Sequence, residues 1–293
     1  MTPPIAFLGT GLLGGAFVEA AARRGDRLTV WNRTADKARA LEQFGVRVAD
    51  TPADAVRGAA RVHLVLKDDA VVEEVVAALR PALAPDAVVV DHTTTQPAHT
   101  AERAARLNAE GVRYLHCPVF IGPALARQGL GTILASGPRA LFDAVEPALQ
   151  RMAARVAYLG ERPDLAAAHK LFGNAFIIGV GALVADVFAV AGGAGVAPED
   201  ALGVLEYLDL KTVATGRGRQ MAAGTYTPAF ELAMARKDVR LMAETAGDRP
   251  LGVLPGVAAR MDGLIAAGFG REDLAALGRG VAGAAAGAGS GTR

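Results

Sequence analysis

The sequence predicts an α/β protein: an N-terminal, doubly wound and mostly parallel sheet followed by an all-helical C-terminal domain. Three observations carry this. Strand-like and helix-like segments alternate as far as about residue 160, the order expected of βαβ units. Strand signals stop after the break Gly160-Glu161-Arg162-Pro163-Asp164. The first strand runs directly into a glycine-rich turn that opens a helix.

Ile5–Leu8 is a run of four apolar residues and reads as a buried strand. Gly9, Gly11 and Gly14 follow in G-x-G-x-x-G spacing, with Leu12 and Leu13 between them. In this strand–turn–helix context the spacing is the dinucleotide fingerprint of a Rossmann-type sheet. Gly9 allows the tight turn, Gly11 a close approach of backbone to a pyrophosphate, and Gly14 close helix–sheet packing. The phosphates would meet free N–H groups at the helix N-terminus.

The second strand, Leu28–Trp31, alternates and ends in Asn32-Arg33-Thr34. A site for NAD usually has an acidic residue here, about twenty residues past the glycines, to hold the ribose 2′-OH. Asn32 is neutral, and Arg33, Thr34 and Lys37 offer two cations and a hydroxyl. A guanidinium binds a 2′-phosphate through charge-assisted hydrogen bonds, and a carboxylate would repel it. The composition of this strand end therefore favours NADP(H) over NAD(H).

The remaining strand-like runs are Arg61–Leu66, Ala87–Val90, Arg113–Leu115 and Thr132–Ala135. Helical stretches lie between them, such as Thr34–Phe44, Ala70–Leu79 and Ala98–Asn108. The expected organisation is a dinucleotide-binding domain over 1–163, an all-helical substrate and dimerisation domain over 164–282, and a flexible tail over 283–293. The second domain begins with a long interdomain helix.

Composition excludes several classes. The net charge is +1 and aromatics are scarce, so no nucleic-acid face or basic membrane helix is expected. Arg217-Gly218-Arg219 is the one basic cluster and reads as a solvated loop. Cys117 is the single cysteine, which rules out an intrachain disulfide and suits a reducing cytosol. The N-terminus has no basic region before its apolar run, so no signal peptide is expected. Leu171–Ala197 is mostly apolar, but Asn174, Asp186 and its glycines argue for the central helix of a soluble cytoplasmic protein. Its apolar surface predicts a homodimer or homotetramer.

Lys170 and Asn174 are i, i+4 on one face of that helix, continued by Ile177, Gly181 and Val184. A desolvated lysine becomes a usable acid or base. A lysine snorkelling along the helix is the other reading, and the residues alone leave both open. Phe230, Met234, Lys237 and Leu241 form a second stripe, with Asp238 as a charge partner or simple neighbour of Lys237.

Six segments together resemble the β-hydroxyacid dehydrogenases, the group around 3-hydroxyisobutyrate dehydrogenase, tartronate semialdehyde reductase and the glyoxylate/succinic semialdehyde reductases. They are Gly9–Gly14, Trp31–Thr34, Asp91-His92-Thr93-Thr94-Thr95-Gln96-Pro97, Cys117-Pro118-Val119-Phe120-Ile121-Gly122-Pro123, Lys170–Asn174 and Lys237-Asp238-Val239-Arg240-Leu241. They occur in family order across essentially the whole chain.

The resemblance implies a carbonyl/alcohol oxidoreductase with Lys170 as general acid and base, and Asn174 orienting substrate or Lys170. It implies that Leu66, Lys67 and Thr94 lie along the nicotinamide half of the cofactor. Lys237 would close over the cofactor, near Phe230. The implied substrate contacts are Thr94, Phe120, Ile121, Gly122, Asn174 and Phe230.

Phe120, Ile121 and Gly173 depart from the family pattern. Phe120-Ile121 stands where the family has the Ser-Gly pair that holds a carboxylate, and only Gly122 remains. Gly173 stands for the first asparagine of K-x-x-N-N. An apolar pair does not hold a carboxylate, because a buried unpaired charge is costly. The departure points to a bulkier or less anionic carbonyl compound. Two other readings are carried: an imine reductase of similar architecture, and a non-catalytic NADP(H)-binding protein.

Five histidines with no i, i+4 pair give no metal signature. Each is expected to be a structural, hydrogen-bonded residue, with His92 the best exception as a substrate contact. Cys117 is expected to be buried and unreactive.

Overall fold

The computed structural model describes residues 4–281. The expected tail, 283–293, lies outside the described residues. The chain divides into two compact units, Met1–Ala175 and Phe176–Arg293, so the division falls inside a long helix.

The first unit carries β1 (Ile5–Leu8), α1 (Leu12–Arg23), β2 (Leu28–Trp31), α2 (Ala35–Arg39), β3 (Arg47–Val48), α3 (Pro52–Val56) and β4 (Arg61–Leu64). It continues with α4 (Asp69–Leu79), β5 (Val88–Asp91), α5 (Pro97–Ala109), β6 (Arg113–His116), β7 (Val119–Phe120) and α6 (Pro123–Arg127). It closes with β8 (Thr132–Ala135), α7 (Arg139–Leu149), β9 (Arg155–Tyr158) and the start of α8 (Leu165–Gly193). Six strands form one parallel sheet in the order β3-β2-β1-β4-β5-β6. Every residue of β1 and β5 is buried, because helices cover both sheet faces. One apolar cluster, with Phe7, Phe17, Val30 and Val90, fills one face, and a second, with Leu8, Leu64, Val89 and Tyr114, fills the other. Strand order reverses between β1 and β4, and sheets of this kind bind ligands at the carboxyl ends flanking such a switch.

The expected class therefore holds, with local corrections. Thr132–Ala135 is not in the main sheet. It is the centre of a separate three-stranded sheet, antiparallel to β7 and parallel to β9. β3 and β7, two residues each, are too short to show a period, and β9 is a partly exposed edge strand. The stretch expected to be helical over Thr34–Phe44 breaks into α2 and a 3-10 turn, Glu42–Phe44.

The second unit continues α8 and adds α9 (Pro198–Ala201), α10 (Leu210–Ala223), α11 (Leu232–Ala246) and α12 (Leu254–Leu264). Its core joins Leu232, Ala235 and Val239 of α11 to Leu254, Met261 and Leu264 of α12. Asp186, legible in the sequence only as an interruption of an apolar run, is buried. Its carboxylate accepts backbone hydrogen bonds from Gly252, Val253 and Leu254 at 2.6, 2.9 and 2.8 Å. Burial alone would raise its pKa, and these N–H groups overrule burial and lower it.

One expectation for this unit is corrected. Arg217-Gly218-Arg219 lies within α10, and Arg217 pairs with the buried Asp273, so it is not a solvated loop. The stripe of Phe230, Met234, Lys237 and Leu241 is exposed, because α11 turns Leu232, Ala235 and Val239 into the core.

α8 is long and apolar enough to cross a membrane by length and composition alone. Contrary to the expectation of a buried central helix, most of it is exposed in the single chain: Phe172 is 59%, Phe176 65% and Ile178 70% exposed. A helix of 29 residues that is apolar all round outruns the partners its own chain supplies.

Candidate dinucleotide and catalytic site

The turn after β1 is built by sterics. Gly9 has φ +97°, and a Cβ there would lie 2.2 Å from the Val65 carbonyl oxygen. A Cβ on Gly14 would lie 1.9 Å from the Gly9 carbonyl oxygen. Both glycines are required by the fold. Gly11 is different, since a Cβ there meets nothing within 4 Å. Its glycine answers to whatever approaches the turn from outside. No side chain caps the N-terminus of α1, so its first N–H groups face that approach.

Asn32 ties the second strand to this turn. Its side-chain oxygen accepts from the Thr10 N–H at 2.9 Å, and its amide donates to the Thr34 carbonyl at 2.9 Å. The amide thus braces the loop and presents no negative charge. A cleft of about 290 Å³ opens here, lined by Gly9, Gly11, Asn32, Arg33, Thr34, Lys37, Leu66 and Lys67. Eight of the sequence-derived cofactor residues meet in it. Leu12 lies beside Lys37 in an adjoining groove, 85% exposed, and Leu13 packs against the core. Trp31 also lines the cleft, and Val65, Val71, Glu74 and Val75, which escaped the sequence reading, complete its wall. Val65 was findable as the residue that follows β4 at the same sheet edge as Gly9.

The loop after β5 is anchored from below and exposed at its tip. Asp91 is fully buried and accepts from the Thr93 N–H at 2.9 Å and the Tyr114 hydroxyl at 2.6 Å. Burial would raise its pKa, but contacts with His116, Tyr114 and Thr93 lower it. The Thr93 hydroxyl accepts from the Leu66 N–H at 3.1 Å, joining this loop to the one after β4. Thr94 stands exposed between buried Thr93 and Thr95.

His92 is corrected. It is 3% exposed and faces the interior, where it meets His63 and the Cys117 carbonyl. Burial depresses its pKa to about 4. It is a structural residue and makes no open contact for a substrate. Cys117 is buried, and burial pushes its thiol well above the usual range, which keeps it an unreactive thiol.

Lys170 sits in the first turns of α8, and burial alone lowers its pKa from the usual lysine value. Its Nζ donates to Asn174 Oδ1 at 2.9 Å and lies 4.4 Å from the centre of the Phe120 ring. Ile121 packs against the core, and Gly122 is exposed at the start of α6. Lys237 and Phe230 belong to the second unit. Lys237 pairs with Asp238 at 2.8 Å, and the Phe230 N–H donates to Asp273. Among the described residues there is no cluster of His, Cys, Asp and Glu able to hold a metal ion.

Fold and cleft together define a dinucleotide-binding protein of the Rossmann type. Residues 4–160, more than half of the chain, match the NAD binding domain of 6-phosphogluconate dehydrogenase. The chain belongs to that family.

The relatives extend beyond this domain. Glyoxylate/succinic semialdehyde reductase 1 of Arabidopsis thaliana is 28% identical over 262 residues, 87% of this chain and 89% of the relative. The cytokine-like nuclear factor N-PAC of Homo sapiens is 29% identical over 241 residues, 81% of this chain. The match covers 43% of N-PAC, so the chain spans less than half the length of that relative. A reductive aminase from Aspergillus terreus, solved with NADPH4, cyclohexanone and allyl amine, matches with a TM-score of 0.83 and 25% identity. That match covers 94% of this chain and 98% of the aminase.

Proposed function

We propose that this chain is an NADP(H)-dependent oxidoreductase that interconverts a carbonyl compound and its alcohol, with Lys170 as general acid and base. The observation that carries the reading is a half-buried lysine held by Asn174 in the same unit as the fingerprint cleft. A binding protein has no need of a desolvated acid.

The residues fit the cofactor. Gly11 leaves open space beside an uncapped helix, and Arg33, Thr34 and Lys37 surround a strand end without an acid. Gly9, Gly11, Leu12, Leu13 and Gly14 would hold the pyrophosphate, and Asn32, Arg33, Thr34 and Lys37 the adenosine ribose with its 2′-phosphate. Leu66, Lys67 and Thr94 would flank the nicotinamide. Bound NADPH supplies the hydride.

The protein supplies the proton. Lys170 as an ammonium donates one hydrogen bond to the carbonyl oxygen and stabilises negative charge growing there. It gives its proton to that oxygen as the alcohol forms, and takes it back in the reverse direction. Desolvation lowers its affinity for the proton, bringing it closer to the working range. Asn174 accepts one hydrogen bond from the ammonium and so holds it in place. The cytoplasm is the proposed location, in keeping with a single buried thiol. A second copy of the chain is the proposed partner.

The likeness to the reductive aminase supports a second reading, reduction of C=N. Lys170 favours C=O, because an iminium already carries the positive charge that an ammonium would repel. The N-PAC likeness supports a third reading, dinucleotide binding without catalysis. Loss of NADPH absorbance with a panel of aldehydes, keto acids and cyclic imines separates the three. Turnover of carbonyls upholds the proposal, turnover of imines alone replaces it, and tight NADPH binding with no turnover at all leaves the third.

A further inference from the structure

Two of the positions at which the chain departs from the motifs it resembles, 120 and 173, touch each other. A Cβ built on Gly173 would lie 2.1 Å from the Phe120 Cζ and 2.5 Å from its Cε1. The ring tip therefore rests on the bare backbone of the helix, and any side chain at 173 would have to displace it. Lys170, Gly173 and Asn174 are i, i+3 and i+4 on one face. The ring lies over the turn between the ammonium and the amide.

Phe120 is held in this place from behind. It pairs with Thr132 in β7–β8, and Ile121 packs into the core.

The arrangement limits what Lys170 offers. An ammonium has three N–H donors. One goes to Asn174 Oδ1, and the ring face takes up another direction. What remains suits a single oxygen or nitrogen, not the paired oxygens of a carboxylate. The adjoining surface, Phe120 and Ile121, has no polar side-chain atom to take the second oxygen.

Resting on the carbonyl reading above, we infer that Phe120 and Gly173 form one specificity device. The ring occupies the place beside Lys170 where an anionic group would sit, and restricts the site to uncharged carbonyl compounds that lay hydrocarbon against it.

The test compares levulinate with ethyl levulinate, the same ketone with and without a negative charge. The wild type should reduce the ester with a kcat/KM about 10- to 100-fold higher, the scale of an unpaired charge beside an apolar wall. Phe120→Ser should narrow that ratio, chiefly by lowering KM for levulinate. Gly173→Asn alone should be strongly impaired, because its side chain meets the ring. Phe120→Ser with Gly173→Asn should recover activity beyond the sum of the two single effects.

Equal or better use of levulinate by the wild type, or additive effects of the two substitutions, overturns the inference. Titration of the NADP⁺-loaded wild type with both ketones needs neither turnover nor variants. Preference for the ester there, with no reduction of either ketone under NADPH, upholds the specificity device and sinks the proposed reaction. Preference for levulinate sinks the device whatever the kinetics.

Discussion

His63 and His92 stack at 5.2 Å between ring centres and share a 2.9 Å hydrogen bond beneath the loop that carries Thr94. The direction of that bond is fixed from both ends. Arg61 Nε only donates, so His63 Nε2 accepts at 2.8 Å and His63 Nδ1 carries the proton. The Cys117 carbonyl only accepts, so His92 Nδ1 donates to it at 2.7 Å and His92 Nε2 accepts from His63. Both rings are neutral in this chain of bonds, and protonating either one breaks it.

Stability should consequently fall in acid. Burial, then the neighbouring His92 and Arg61, holds the pKa of His63 well below its usual value. Burial outweighs the Cys117 carbonyl and Asp91 to bring His92 to about 4. The unfolded chain takes up these protons near pH 6.5. Below that pH the unfolded state binds more protons than the folded one, so stability drops as pH falls from about 6.5 towards 4. The slope is at most about 1.4 kcal/mol per pH unit for each histidine. Urea unfolding at pH 7.5, 6 and 5 measures it. His92→Gln, which keeps a donor and an acceptor, should flatten the profile between pH 6 and 5. An unchanged slope in that variant would remove His92 from the account and leave His63 alone to carry the acid sensitivity.

Cofactor choice should follow Asn32 and Arg33. Arg33→Ala should weaken NADPH by about 1.5–3 kcal/mol, the range of a charged hydrogen bond, and NADH hardly at all. Asn32→Asp keeps the oxygen that accepts from Thr10 but adds a charge that repels a 2′-phosphate. It should shift preference towards NADH. Fluorescence titration with both nucleotides reads each variant, and equal wild-type affinities would contradict the assignment.

Assembly should cover α8. Phe172, Phe176, Ile177 and Ile178 are each more than half exposed in the single chain, too large a run of apolar side chains to leave in water. A second copy is the proposed cover, because Asp186 is buried within the helix and caps backbone groups ahead of α12. That anchoring suits a helix packed in protein better than one in lipid. Light scattering without detergent should give a dimer or tetramer at micromolar concentration. Replacing Phe176 and Ile178 with Glu should dissociate it. A monodisperse wild-type monomer would refute this.

The fold was legible because its signals are local. Apolar runs of four residues fall between helices of regular period, and Gly9, Gly11 and Gly14 mark the switch in the sheet. The three short strands β3, β7 and β9 were not legible, since two to four residues at an edge leave no period to read. The cleft was legible in outline from Asn32, Arg33 and the glycines. Its wall at Glu74 and Val75 comes from a helix face that becomes a wall only through packing. His92 misled, because a histidine in a motif loop looks the same whether it faces out or in. His63 and Arg61, two apart on β4, share the face that decides the matter. The meeting of Phe120 with Gly173 joins residues distant in sequence, and each looked like a separate departure.

The central claim is that Lys170 supplies the proton. Lys170→Ala, assayed by NADPH consumption on the best carbonyl substrate of the panel, tests it most directly. The expected result is a loss of roughly 10²–10⁴ in kcat, the usual worth of general acid catalysis, with NADPH affinity little changed. Lys170→Arg should not restore turnover, because a guanidinium keeps the charge but does not release a proton near neutrality. Near-wild-type turnover by Lys170→Ala would contradict the account, and the proton would have to come from a group other than this lysine.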